Sequence, residues 1–154
     1  MPLLSSEASN FLKNNTGKSI VFTNGCFDIV HIGHIEYLNE AKAQGDLLIV
    51  GLNSDKSVKK LKGPERPINN QNNRKKFLEN LRSVDFVEIF NDDTPINLIK
   101  GLNPNILVKG GDWKINEIVG SEYVLENGGQ VKSLKYIEGF STTTIIDKLY
   151  SRPS

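Results

Sequence analysis

An α/β fold, a doubly wound parallel sheet of five strands in one domain, follows from three observations on this chain of 154 residues. Apolar runs over 20–23 and 47–52 are short and unbroken, as in strands buried on both faces. Stretches of helical spacing separate the runs, and parallel strands need such crossovers. Turn and hydrogen-bonding residues follow the strands, at the sheet end where open α/β folds hold their ligands.

The elements can be justified in order. Residues 5–15 predict a helix, capped by Ser5 or Ser6, with Ala8, Phe11 and Leu12 on one stripe. This segment, 1–18, stands before a main domain over 19–150. A first strand over 19–23 enters a turn holding Gly25, Gly33 and both histidines of the chain. A helix to about residue 44 follows, with Ile35, Leu38 and Ala41 apolar. The second strand, 47–52, leads to Asn53, Ser54 and Asp55, and to a short helix carrying Val58 and Leu61. The stretch 62–67 has Gly63, Pro64 and Pro67 and no apolar period, so it predicts a mobile cover over the site. A helix over 70–82 turns Phe77, Leu78 and Leu81 inward. The third strand spans 85–90. Asp93 or Thr94 then caps a helix with Pro95 at its first position. The fourth strand, 105–108, runs into Lys109, Gly110, Gly111, Asp112 and Trp113. A helix over 121–127, a fifth strand over 130–134 and a last helix capped by 141–144 complete the chain.

The histidine turn is the chemical centre of this reading. A strand-to-helix turn aims free N–H groups at one point, which suits an anion. His31 and His34, at spacing i, i+3, share a face of the first helical turn. Imidazole donors suit phosphate oxygens and the charge that develops on them. A metal reading has only Asp28 and Glu36 as further ligands and no cysteine pair, and a purely structural pair is the plainer alternative.

Composition narrows the classes. With 38% hydrophobic residues the chain buries an ordinary core, and a net charge of +1 gives no basic excess for nucleic acid. Positive charge is clustered at Lys59, Lys60, Lys62, Arg66, Arg74, Lys75 and Lys76. Four of these, Lys59, Lys60, Lys75 and Lys76, read as solvated surface. Cys26 is the single cysteine, so no internal disulfide forms, which suits a reducing compartment. No apolar run has signal-peptide or bilayer-spanning length. The expectation is a cytoplasmic protein with no membrane and no nucleic-acid partner.

Gly25-Cys26-Phe27-Asp28 followed by His31-Ile32-Gly33-His34 resembles the HxGH signature of the cytidylyltransferase-like nucleotidyltransferases. The resemblance implies a Rossmann-like fold and transfer of a nucleoside monophosphate to a phosphorylated acceptor, with release of pyrophosphate. It covers nearly the whole chain after residue 18. Leu61-Lys62-Gly63, Arg66-Pro67-Ile68-Asn69, Asp93-Thr94-Pro95, Lys109-Gly110-Gly111-Asp112 and Gly120-Ser121-Glu122 are similar to the adenylyltransferase branch of ADP-heptose synthesis. That branch implies ATP as donor and D-glycero-β-D-manno-heptose 1-phosphate as acceptor, with the product feeding lipopolysaccharide or surface glycan. In many relatives this domain follows a sugar kinase; here the kinase is expected as a separate protein, and the assembly as a homo-oligomer, a dimer.

The resemblance implies roles residue by residue. His31, His34 and Lys62 are the expected catalytic groups. Asn24, Gly25, Cys26, Phe27, Gly33, Arg74, Lys109, Gly110 and Asp112 are expected at the nucleotide, with Ser141, Thr142 and Thr143 on its outer phosphates. Asp28, Asn53, Asp55 and Trp113 are expected at the acceptor. Mg²⁺ is expected through the triphosphate, without a protein-only metal site. Glycerol-phosphate cytidylyltransferases carry an acidic residue at the place of Gly111 and arginine at that of Tyr136, so this chain departs from cytosine readout toward adenine. The alternative enzyme is a cytidylyltransferase for a polyol or sugar phosphate such as glycerol 3-phosphate. The alternative from another class is a catalytically silent nucleotide-binding regulator.

Overall fold

A computed structural model describes residues 3–135 and 142–151, with side chains over 3–135 and 145–150. The order is α1 (Ser6–Asn14), β1 (Ile20–Gly25), α2 (Ile32–Lys42), β2 (Leu47–Asn53), α3 (Asp55–Lys62) and α4 (Gln71–Glu79). Then come β3 (Phe86–Phe90), α5 (Ile96–Leu102), β4 (Ile106–Gly110), a 3₁₀ turn (Ile115–Glu117), α6 (Ser121–Glu126), β5 (Gln130–Leu134) and α7 (Thr142–Ser151). The five strands form one parallel sheet in the order β3-β2-β1-β4-β5. The expected fold class is the one observed.

Alternation along the strands builds two cores. In β2, Leu48, Val50 and Leu52 face one layer, made by Tyr37, Leu38 and Ala41 of α2 and Leu78 of α4. Leu47 and Ile49 face the other, made by Leu98, Ile99 and Leu102 of α5 and Val124 of α6. Phe11 and Leu12 of α1 pack on this second layer. A sheet buried on both faces has no room for polar alternation, which is why β2 has no polar side chain from Leu47 to Leu52.

Two details differ from expectation. Phe77 is exposed, not inward, and Leu61 is exposed as well. Neighbouring helical positions point about 100° apart, so Leu78 and Arg74, at spacing i, i+4, share the buried face of α4 and Phe77 turns out. Leu61 lies on the last turn of α3, past the end of the sheet. Pro95 is the N-cap of α5, without a side-chain cap from Asp93 or Thr94.

The strand order places the site. From β1 the sheet is extended through β2 on one side and through β4 on the other. The crossovers therefore diverge at the carboxyl ends of β1 and β4, and a crevice opens there. Leu38 of α2 is fully buried beneath it. Leu38→Ala should lower unfolding stability by about 2–5 kcal/mol, read as a reduced urea midpoint with an unchanged slope.

Candidate active site

The turn after β1 is shaped by close contact. A Cβ on Gly25 would lie 2.9 Å from the Phe27 ring, so only glycine fits there. Phe27 itself stands at φ +46°, in the left-handed region that costs a bulky residue on the order of 1–3 kcal/mol. Its buried ring offsets that strain, lying 5.4 Å from the His34 ring.

The two histidines cap their own helix. His31 is the N-cap of α2, and its Nδ1 accepts from Gly33 N–H at 3.0 Å. His34 Nδ1 accepts from His31 N–H at 3.2 Å, closing a reciprocal capping box. The rings sit 4.0 Å apart between centroids. With both Nδ1 atoms accepting, each neutral ring carries its proton on Nε2. Burial lowers the pKa of both rings. His34 falls to about 4, with the neighbouring His31 and the Lys62 charge acting in the same direction. His34 is therefore a neutral Nε2–H donor at pH 7.

A cavity of about 380 Å³ opens in front of this turn. Asn24, Gly25, Cys26, Phe27, Asp28 and His34 line it from the turn, Asn53 from the end of β2, Lys62 from the end of α3 and Lys109 from β4. Burial lowers the Lys109 pKa and raises that of the Cys26 thiol. Among the described residues, no carboxylate lies within ion-pair distance of Lys62 or Lys109, and no three metal-ligating side chains gather. Lys109 Nζ rests 5.6 Å from the ring centre of Trp113. Trp113 donates Nε1–H to Gly110 O and lines a smaller cavity of about 90 Å³ beside the first.

Several expected site residues have other uses. Arg74 is 2% exposed and turned away from the cavity. Its Nε donates to Asn69 O, its Nη1 to Cys26 O and Asn53 O, and its Nη2 to the Asp55 carboxylate at 2.8 Å. Arg74 and Asp55 thus hold the walls of the site, because a buried guanidinium spends its donors on nearby carbonyls. The Asp28 carboxylate accepts from Arg66 Nε, Ile68 N–H and Asn69 N–H, so its oxygens are occupied from the protein side. Gly33 is buried in the helix cap, Gly110 is buried at the end of β4, and Asp112 is exposed outside both cavities. Ser141, Tyr136 and Phe140 lie outside the described residues, as do the side chains of Thr142 and Thr143.

The stretch expected as a mobile cover is in two parts. Lys62 closes α3, whose C-cap is Gly63. Beyond it, residues 66–69 are tied to the histidine turn by Asp28 and by Asn69 Nδ2, which donates to Asp28 O at 2.7 Å. Arg66, Asp93, Thr94, Pro95, Leu61 and Val119 also line the cavity. Sequence reasoning placed Arg66 only within the expected cover and gave the others no site role. For Asp93, Thr94 and Pro95 the signal is their position just after a strand, in the pattern of the other site segments.

Comparison with known proteins now decides the family. The model of the cytidylyltransferase-like family matches residues 22–148. The chain belongs to that family. It is accordingly a nucleotidyltransferase. It is similar to the bifunctional protein HldE of Campylobacter fetus, at 57% identity over 88% of this chain and 29% of the relative. The HldE of Marinomonas sp. is 55% identical over 89% of this chain and 29% of the relative. The chain thus spans under a third of the length of these curated relatives. Among solved structures, the lipopolysaccharide core biosynthesis protein of Thermoplasma volcanium aligns with a TM-score of 0.65 and 29% identity, over 79% of this chain and 98% of that one. Pantoate-beta-alanine ligase of Francisella tularensis shares the fold, with a TM-score of 0.54 and 14% identity over 97% of this chain and 78% of that one.

The lowered His34 pKa gives a pH dependence. The unfolded chain takes up this proton near pH 6.5 and the folded chain only near pH 4, so stability is present above 6.5 and is lost as pH falls toward 4. His34→Gln should flatten part of that fall. Urea midpoints of both ligand-free proteins at pH 7 and pH 5 check it: the loss between the two pH values should be smaller in the variant.

Proposed function

We propose that the chain transfers AMP from ATP to D-glycero-β-D-manno-heptose 1-phosphate, giving ADP-heptose and pyrophosphate. The observation that carries the reaction type is the reciprocal histidine cap, which leaves two neutral Nε2–H donors fixed on one helix start. The similarity to the bifunctional HldE proteins and to a lipopolysaccharide core biosynthesis protein supports the substrate class.

An oxygen of the acceptor phosphate attacks the α-phosphorus of ATP. The bond from that phosphorus to the α–β bridging oxygen breaks, and pyrophosphate leaves with the electron pair. Little covalent help is needed; positioning and charge stabilisation supply the catalysis. His31 and His34 donate to oxygens at the α-phosphorus. Lys62 and Lys109 supply positive charge to the polyphosphate, and Mg²⁺ enters with the triphosphate as part of the nucleotide. Ser141, Thr142 and Thr143, by the resemblance of their motif, are assigned to the outer phosphates.

Adenine is favoured over cytosine by Gly111 and Tyr136. Gly111 stands at φ +111°, where the acidic side chain of the glycerol-phosphate enzymes would be strained. A kinase supplies the sugar 1-phosphate, and the protein works as a dimer in the cytoplasm. The cytidylyltransferase reading with glycerol 3-phosphate is the second hypothesis.

Pyrophosphate release should be faster with ATP and heptose 1-phosphate than with CTP and the same acceptor, or with CTP and glycerol 3-phosphate. A higher kcat/KM with CTP overturns the assignment, and no turnover with any pair favours the silent regulator. His31→Ala and His34→Ala should each lower kcat about 10²–10³-fold, with ATP binding less affected. Near-normal kcat with a lowered Tm in both variants would mean that the pair only caps its helix.

A further inference from the structure

We propose that Arg66 receives a phosphate group in this site, and that the group is the acceptor's. Its guanidinium lines the main cavity, yet its side chain is only 14% exposed. Nε donates to the Asp28 carboxylate at 3.3 Å. Nη2 is buried and has no hydrogen-bond partner among the described residues. A buried donor left unsatisfied is costly, so such an atom marks the place of a ligand oxygen.

The fork is also held in place. Asp28, whose side chain is 1% exposed, accepts from Ile68 N–H and Asn69 N–H at 2.8 Å each. The carboxylate that grips Arg66 is therefore fixed by the backbone on both oxygens, and it fixes Nε in turn. The remaining donors keep the planar geometry that matches two phosphate oxygens. Asp28 thereby becomes the positioning residue for Arg66.

The side of the crevice selects the acceptor. Arg66 comes from the segment after α3 and lines the same cavity as Asn53 at the end of β2 and Thr94 after β3. The histidines and Lys109 come from β1 and β4, where the proposed reaction has the nucleotide. A phosphorylated acceptor in front of β2 brings its phosphate between Arg66 and His34. This assignment rests on the nucleotidyl-transfer reading given above.

The test uses Arg66→Gln and Arg66→Lys. Heptose 1-phosphate KM, ATP dissociation constant, kcat and Tm are measured for each. Arg66→Gln should raise the acceptor KM roughly 10- to 100-fold while the ATP dissociation constant and Tm stay near wild type. Arg66→Lys, which keeps the charge, should recover part of the loss. An unchanged acceptor KM overturns the proposal. So does a loss confined to ATP, which gives the phosphate to the nucleotide. A fall in Tm with parallel loss of both ligands in both variants also overturns it and makes Arg66 a loop anchor. If wild-type protein does not turn over heptose 1-phosphate, the proposed reaction fails by itself. Arg66 is then tested by titrating inorganic phosphate and ATP into wild type and Arg66→Gln. Weaker phosphate binding with intact ATP binding supports the role, and equal phosphate binding overturns it.

Discussion

The buried guanidinium of Arg74 is the tie on which the site depends. One side chain gathers the carbonyls at the ends of β1 and β2, the carboxylate opening α3 and the carbonyl that precedes α4. These acceptors come from three separate parts of the chain, at Cys26, at Asn53 to Asp55 and at Asn69. A charge this deep is tolerated only because every direction of the fork meets an acceptor. Removing it would leave Cys26 O and Asn53 O without that donor and Asp55 without its counter-charge, a change of several kcal/mol. The crevice has its shape because a cation is spent behind its wall and not inside it.

Inside the crevice the charges are arranged for a polyanion. Lys62 and Lys109 face it, and the histidines are kept neutral by burial, with His31 and the Lys62 charge adding to the effect at His34. Neutral donors avoid carrying a proton that must be lost or gained during turnover. They also keep one tautomer, because each Nδ1 is occupied by a backbone N–H of the helix start. The cap and the donor are one device: satisfying the first turn of α2 is what aims the rings.

The sheet and its helices were legible in the sequence because buried parallel strands are apolar without interruption. β2 shows this most plainly, with every residue buried. The histidine turn was legible because glycine, two histidines and a following helical pattern have few joint explanations. The roles of Arg74, Asp55 and Asp28 were not. Each is a charged residue near a site, and sequence alone does not say whether its partner is a ligand or a backbone carbonyl. That choice is made by the facing of α4, where Leu78 pulls Arg74 inward, and by loop 66–69 folding back over 40 residues onto Asp28. The exposure of Phe77 has the same origin.

The central position of β1 has a consequence for how the chain is made. Its first neighbour, β2, begins 27 residues later, with Ile20 paired to Leu47, whereas its other neighbour pairs Val21 with Ile106, 85 residues on. A chain emerging from the ribosome assembles β1, β2 and β3 first, with one flank of β1 bare. That flank is a long apolar edge, the kind of surface on which strands of other molecules add. It stays open until α5 and β4 have left the exit tunnel. The crevice forms only when β4 joins β1, so a chain that has not yet added β4 lacks the Lys109 wall of the site and still carries a bare strand edge.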